Sequence, residues 1–458
     1  MNKLTRRRFL TSSALAAMYG VTQPVSGQAA RANTTAWRNW SGSLVAHPAD
    51  RFSPANEQAL VDFLASTQAS LRPVGSGHSF TPLVPTDGYL LILDQLTGLL
   101  SFDQAANKAT FGAGTRLSDM GAPLARIGQA MINLPDIDRQ TLAGATSTAT
   151  HGTGIDFKCL SGYITGLRLV TPNGAVHDLT RESSSELFDA ARVGLGALGV
   201  VTQITMQNVP QYRLKQSTWV DKTGDLLRDF DQLASTHRHF ELLPFCHSDY
   251  SIAIATDETD EPINNREATA EEEAEFSLLL QGLTKVPASL RRPIMNTIAG
   301  QMDAVERVDE SYKILANIRN DRFNEMEYSV PLEHGADCLQ EVLKTIDNKD
   351  IDVVFPLEYR YVSRDDTMLS MSTGEEDHAA ISIHRTASED YRPYFDLIEP
   401  IFWKYGGRPH WGKIPSLGAE QLSALYPRFD EFSAIRKRLD PGGRMLNPHL
   451  RKLFGVES

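Results

Sequence analysis

Residues able to do chemistry crowd the stretch Arg72-Pro73-Val74-Gly75-Ser76-Gly77-His78-Ser79-Phe80. The two glycines bracketing Ser76 tolerate positive φ and carry no Cβ, so their backbone N–H groups can turn onto one anion. A cradle of that kind suits a pyrophosphate, and His78 sets a nucleophilic imidazole at its edge. Phosphate loops of the P-loop kind add a lysine for charge, and none is present here. Taken alone, the same residues also describe a glycine-rich turn with a surface histidine.

A second run narrows the choice. Thr141-Leu142-Ala143-Gly144-Ala145-Thr146-Ser147-Thr148-Ala149-Thr150-His151-Gly152-Thr153-Gly154 carries no formal charge and almost no bulk. It has too little apolar side chain to form a core element. Small residues and hydroxyls let a backbone lie flat against a planar, phosphorylated ligand while donating hydrogen bonds to it. A flexible linker would be richer in Gly and Ser than in Ala and Thr.

The third concentration lies near the C-terminus. Asp352 to Val362 reads as a strand, and its period-two alternation puts Glu358 and Arg360 on one face, about 7 Å apart. A same-face ion pair is the plain reading of that couple. A second strand, Ala379 to Arg385, sends His384 to the same side as Ser382. Gly407-Arg408-Pro409-His410-Trp411-Gly412-Lys413 gathers an imidazole and cations around an indole, and Asp440 to Pro448 reads as a turn and a terminal strand.

The elements that must position these groups alternate between short strands and helices. Asn56 reads as a cap before a helix running to about Ser66, and Leu71 to Val74 and Leu90 to Leu93 read as strands flanking the glycine loop. Ala109 to Gly114 reads as strand and turn, and Leu117 to Gln129 as an amphipathic helix. Gly194-Leu195-Gly196-Ala197-Leu198-Gly199 matches the dinucleotide fingerprint G-x-G-x-x-G, which requires a strand before it and a helix after it. Here the order is reversed, with a helix at Ser183 to Arg192 and a strand at Val200 to Thr205, which excludes an NAD site of that type. Beyond Pro210 the composition shifts, with a helix expected at Asp221 to Ser235 and strands across Phe240 to Ala255. Acidic runs at Asp257 to Glu261 and Glu271 to Glu275 read as solvated faces, and helices are expected around Ser277 to Arg291 and Glu333 to Ile346.

The glycine loop resembles the flavin-attachment loop of the vanillyl-alcohol-oxidase-type flavoproteins with a PCMH-type FAD-binding domain. Within them it is most similar to the D-arabinono-1,4-lactone oxidase, L-gulono-1,4-lactone oxidase and alditol oxidase branch. The resemblance implies FAD held by Val74, Gly75, Ser76, Gly77, Ser79 and Phe80 and attached covalently through His78. The Thr141 to Gly154 run resembles the second flavin-binding segment, with Thr141, Gly144, Thr148, Ala149, Thr150 and His151 on its contact positions. The segment from Leu195 to Thr202 resembles the closing strand of the flavin domain and places Val201 near the cofactor.

The Glu-x-Arg strand, the His strand, Arg-Pro-His-Trp-x-Lys and the Asp-Pro-x-Gly closing complete the same likeness. By that likeness Glu358 and Arg360 orient the substrate's hydroxyls, Lys413 lies by the flavin ring, His410 contacts FAD and His384 belongs to the substrate pocket. The implied fold is α+β: a two-subdomain FAD-binding domain over residues 31–210, then an α+β substrate domain with an antiparallel sheet over 211–458, its C-terminal end returning to the flavin. The implied reaction is oxidation of a carbinol in a sugar 1,4-lactone, with an alditol as the alternative substrate. A non-catalytic binding protein on this fold is disfavoured by Glu358, Arg360 and Lys413 occurring together. Asp136 stands beside the flavin where alditol oxidases have a serine, which favours the lactone. Pro135 takes the place where related dehydrogenases have an alanine shielding the flavin from oxygen. That points to oxygen as acceptor, with a quinone or cytochrome as the other choice.

Composition agrees with an ordinary globular protein of 458 residues, 41% hydrophobic and 22% charged. A net charge of −12 excludes a chain built for nucleic acid or anionic lipid. Residues 1–30 combine Arg6-Arg7-Arg8-Phe9-Leu10, a short apolar stretch and small residues around Ser26 to Ala29. This order is that of a twin-arginine signal peptide, with export to the periplasm or exterior expected and a span too short to stay in a bilayer. Cys159, Cys246 and Cys338 form no disulfide framework, and no metal-ligand spacing appears, so no metal is expected.

Overall fold

The computed structural model describes residues 35–264, 278, 282–317 and 321–457. Residues 1–34, which include the expected signal peptide, and the Glu271 to Glu275 run lie outside the described residues, as do 277 and 279–281. The rest of the single helix expected over Ser277 to Arg291 is instead helical at 282–284, with a 3₁₀ turn at Ala288–Leu290 and a new helix at Arg291–Ala299 after Pro287. Three sheets and the helices between them enclose one long cavity. The first sheet is small and parallel, in the order Asp50–Phe52, Tyr89–Ile92, Leu71–Val74. The helix Glu57–Ser66 contributes Leu60 and Leu64 to the cluster that also holds Leu71 and Leu91, and Asn56 caps it by accepting from the Ala59 N–H. The second sheet is antiparallel, with the long strand Val200–Pro210 between Ile164–Val170 and Lys108–Gly112.

The third sheet is also antiparallel and has eight strands. Its order is Val305–Glu310, Arg213–Lys222, Tyr250–Glu258, His239–Pro244, Glu358–Val362, His378–Thr386, Phe323–Pro331, Arg408–Pro409. Alternation divides its faces. Ala253, Tyr359, Ile381, Met326 and Tyr328 point into a core closed by the helices Gly335–Asn348 and Arg392–Lys404. The opposite face roofs the cavity.

Several elements differ from expectation, each for a local reason. Leu117 to Gln129 is not one helix: a 3₁₀ turn at Leu117–Asp119 leads into Gly121–Arg126. Gly128, at φ +67°, then turns the chain into the strand Gln129–Met131. Asp221 and Lys222 still pair with Ser251 and Tyr250, so the helix expected there becomes two short ones, Thr223–Arg228 and Phe230–Thr236. The expected strand from Asp352 begins only at Glu358, after Pro356, a residue that cannot donate to a ladder. The expected terminal strand is a helix, Pro448–Leu453, which Asn447 caps by accepting from Leu450 N–H, with proline in the first turn. The strand Phe323–Pro331 was not anticipated, because buried Asn324, Glu325 and Glu327 interrupt its apolar pattern.

The C-terminal residues close back onto the first sheet. Leu71 N–H donates to Arg444 O at 2.8 Å, and Asp440 accepts from the N–H groups of Arg444 and Met445. Cys159, Cys246 and Cys338 are buried free thiols.

Three imidazoles away from the cavity, those of His239, His378 and His449, are each pushed down to about 4, chiefly by burial. The unfolded chain therefore binds protons between pH 6.5 and 4 that the folded chain refuses, and stability must fall as pH falls through that window. The expected cost is about 1–2 kcal/mol per group by pH 5. Melting temperature measured from pH 7.5 to 5 should drop steadily, and replacing His378 with Gln should flatten the slope.

Candidate active site

Arg72 sets the geometry of the glycine loop. Arg72 is 2% exposed and, among the described residues, its guanidinium pairs with no carboxylate; instead Nε donates to Leu83 O at 2.7 Å, Nη2 to Leu195 O at 2.8 Å, and Nη1 to Gly196 O and Met445 O at 2.8 and 2.5 Å. One side chain thus ties the loop to the Gly194–Gly199 segment and to the C-terminal turn. Gly196, at φ +62°, presents its carbonyl while packing so close to Pro73 that a Cβ would meet it at 2.8 Å. The G-x-G-x-x-G run therefore serves as a docking point for Arg72, preceded by a helix and followed by a strand. Burial lowers the Arg72 pKa to about 9.

Beyond Arg72 the loop edges a cavity of about 610 Å³. Val74, Gly75, Ser76, Gly77, His78, Ser79 and Phe80 line it from the loop. Thr141, Gly144, Thr148, Thr150 and His151 line it from the small-residue run, and Val201 from the second sheet. Pro135 and Asp136 line it as well, and Asp136 accepts from the Asn317 side chain at 2.8 Å. Ala149 does not line the cavity: it is fully buried, at φ +55°. It shapes the turn between Thr148 and Thr150 and is a correction to the expected set of contacts.

The eight-stranded sheet supplies the charged wall. Glu358, Arg360, His384, His410 and Lys413 all face the same cavity, together with Glu325 and Glu327, which the sequence did not single out. Glu358 pairs with Arg360, and Glu241 lies 3.9 Å from the same guanidinium. Lys413 is ion-paired to Glu325, whose other oxygen lies 3.6 Å from His384 Nε2. Burial alone would raise the Glu325 carboxyl, but Lys413 and His384 outweigh it and hold it well below the usual carboxylate range.

Glu327 is held low in the same way by His151 and His410. It accepts from His151 at 2.6 Å and from Ser382 Oγ at 2.7 Å. Two triplets, His151–Glu327–His410 and Glu325–Glu358–His384, bring possible ligand atoms within 4.8 Å of one another. Their atoms are already engaged by Gly152, Ser382, Gly412, Lys413 and Arg360. Signals for the two glutamates were present as alternation, Glu325-Met326-Glu327-Tyr328, the pattern of a strand with one polar face.

Arg408 and Trp411 take no part in the cavity. Arg408 donates to the carbonyls of Leu425, Met371 and Thr373, and Trp411 is buried against Tyr426 with its N–H on Leu369 O. Their work is to fix the chain between them and Lys413, since Phe80 N–H donates to Gly412 O and Thr81 Oγ1 to Trp411 O. His78 stacks on Trp40 at 5.3 Å, and its pKa is lowered to about 4 by burial, then by Lys413, Arg116 and Arg139. The imidazole is neutral at pH 7 and so a competent nucleophile.

The cavity fits FAD on three counts. A Cβ at Gly75 would lie 2.2 Å from Thr141 Oγ1, so only glycine lets the loop close on the small-residue run. Ser76 Oγ is buried at the cavity wall without a hydrogen-bond partner among the described residues, as a hydroxyl meant for a phosphate oxygen would be. The charged wall, which reaches the loop where Lys413 lies over the Phe80 ring, supplies cations for a ring that becomes anionic on reduction.

Fold and site together define a flavin-dependent oxidoreductase acting on CH–OH groups. Residues 52–180 match the FAD binding domain and residues 204–453 match D-arabinono-1,4-lactone oxidase, and the chain belongs to that family. It is 36% identical over 429 residues to L-gulono-1,4-lactone dehydrogenase of Mycobacterium tuberculosis, covering 92% of this chain and 99% of that protein. It is 28% identical over 430 residues to L-gulonolactone oxidase of Bos taurus, covering 91% and 98%. Among solved structures, cholesterol oxidase from Brevibacterium sterolicum shares the fold at a TM-score of 0.74 and 17% identity, over 92% of this chain and 96% of that one.

Arg72→Met keeps the bulk but orphans buried carbonyls from segments remote in sequence. The loss should be about 3 kcal/mol or more. Calorimetry should show a lowered melting temperature, and the purified variant should carry less flavin per chain than the wild type.

Proposed function

We propose that the protein oxidises a carbinol of a sugar 1,4-lactone of the D-arabinono or L-gulono type, with FAD bound covalently through His78. The observation that carries this reading is that Glu358, Arg360, His384 and Lys413 line the same cavity as His78 and the glycine loop, with Lys413 Nζ 5.5 Å from the centre of the Phe80 ring. FAD, when bound, supplies the hydride acceptor at N5. Arg360 and Lys413 together lower the pKa of the hydroxyl being oxidised. Glu358, its Oε1 4.0 Å from His384 Nε2, accepts a hydrogen bond from a substrate hydroxyl and gives the departing proton a route to the imidazole. Glu241 and Glu325 keep Arg360 and Lys413 aimed into the cavity.

Asp136 adds an acceptor for a further hydroxyl and disfavours a substrate carboxylate, which suits a lactone. Pro135 in the cavity wall supports oxygen as electron acceptor. The basic, apolar and small-residue order of residues 1–30 supports export by the twin-arginine route, which carries proteins already folded around their cofactor.

Purified enzyme given L-gulono-1,4-lactone or D-arabinono-1,4-lactone should bleach its flavin anaerobically. Reoxidation followed once with oxygen and once with a dye identifies the acceptor. Arg360→Ala should slow bleaching by about 10²–10³. His78→Ala should release its flavin on acid precipitation while wild type retains it. Flavin that stays with the acid-precipitated His78→Ala protein overturns the attachment site, and wild-type flavin that neither lactone reduces overturns the substrate class.

A further inference from the structure

The charged wall covers only part of the cavity's roof. Following the strand pairing outward from Arg360, Glu241 lies opposite it, Ile254 opposite Glu241, Thr218 opposite Ile254 and Val305 opposite Thr218. At about 4.8 Å per strand this places Ile254 about 10 Å and Val305 about 19 Å from Arg360 across the sheet. All of these residues line the same cavity, joined by Leu243, Ile252 and Met302. One end of the roof is therefore ionic, and the other carries the apolar side chains of Leu243, Ile252, Ile254, Met302 and Val305 with Gln216, Thr218 and Arg307 along one edge.

A bare sugar lactone held at Arg360, one small ring with a short polyol arm, ends near Glu241. Along Leu243, Ile252 and Ile254 an added hydroxyl would face aliphatic side chains, whereas the polar groups of that end, Gln216, Thr218 and Arg307, stand on its other edge. Ile252 and Met302 also pack against the Phe245, Leu283, Met295 and Ala299 cluster, but the two residues nearest the ionic end are not spent on folding. Leu243 and Ile254 remain partly exposed and, among the described residues, join none of the hydrophobic clusters, whereas Ala253 and Ala255 on the reverse face are buried beneath helices.

We propose that the half of the cavity roofed by Leu243, Ile254, Thr218 and Val305 is a subsite for an apolar substituent of the substrate. The preferred substrate is then amphiphilic, with a hydroxylated head at Glu358, Arg360 and Lys413 and an alkyl or aryl tail along Ile254. This rests on the reading that the carbinol is held at the charged wall, and it adds the chemistry of the substrate's remote end.

The test uses flavin-loaded enzyme and straight-chain 1,2-alkanediols of increasing length, from propane-1,2-diol to decane-1,2-diol. The quantity read is the concentration giving half the change in flavin absorbance, whether the ring is perturbed or reduced. It should fall about three- to fourfold per added methylene until the tail reaches Val305, then level off. Ile254→Asn should flatten that dependence, and Thr218→Phe should make it level off at a shorter tail. A half-saturation concentration that does not fall with length overturns the subsite, as does an Ile254→Asn enzyme with an unchanged slope. L-gulono-1,4-lactone run in parallel separates the two readings. A length dependence without lactone oxidation leaves the subsite standing and removes the lactone, and lactone oxidation with a flat series does the reverse.

Discussion

A guanidinium without a counter-ion, folded into the floor of the molecule, is the interaction on which the rest depends. Arg72 cannot shed its proton under ordinary conditions, and burying it is tolerable only because carbonyls from three distant parts of the chain converge on it. That requirement couples the glycine loop to the Gly194–Gly199 turn and to the C-terminal turn at Met445. It also answers why the loop lacks the lysine of a P-loop. A fixed positive charge already stands immediately before Pro73, held by backbone carbonyls.

The opposite wall is organised by a comparable demand. Glu325 and Glu327 are almost wholly buried at the cavity wall, so each must be matched: Glu325 by Lys413 and His384, Glu327 by His151 and Ser382. These pairings span the fold, because His151 belongs to the small-residue run and Lys413 to the segment that hydrogen-bonds Phe80 and Thr81 through Gly412 and Trp411. Closing the cavity and neutralising the buried acids are thus one event. The cations that would otherwise repel one another are spaced by carboxylates, which leaves Lys413 and Arg360 aimed inward.

What the sequence disclosed follows the physical origin of each signal. His78, Ser76 and the Thr141 to Gly154 run were legible because glycines and small hydroxyl residues have few other reasons to cluster, and Glu358 with Arg360 because alternation alone fixes their common face. Glu325 and Glu327 escaped notice since an acid in a strand is ordinarily a solvated residue, and only the partners brought by long-range pairing reveal otherwise. Arg72 gives no sign of its role in the sequence, because its partners are backbone carbonyls, which no side-chain pattern announces. Ala149 was assigned to the cavity by position in a motif, whereas its left-handed backbone turns it behind the wall. The expected terminal strand failed on Asn447-Pro448, a cap and first-turn pair that outranks the apolar run around it.

The account stands on a tricyclic ring resting where the glycine loop and the small-residue run meet the cations of the eight-stranded sheet. The most direct measurement is the position of the flavin in an experimental structure of the protein purified with its cofactor. The account predicts the isoalloxazine in the cavity shared by residues 78 and 413, with its diphosphate against Gly75, Ser76 and Gly77. A flavin bound outside that cavity, or with its phosphates away from the glycine loop, would contradict it.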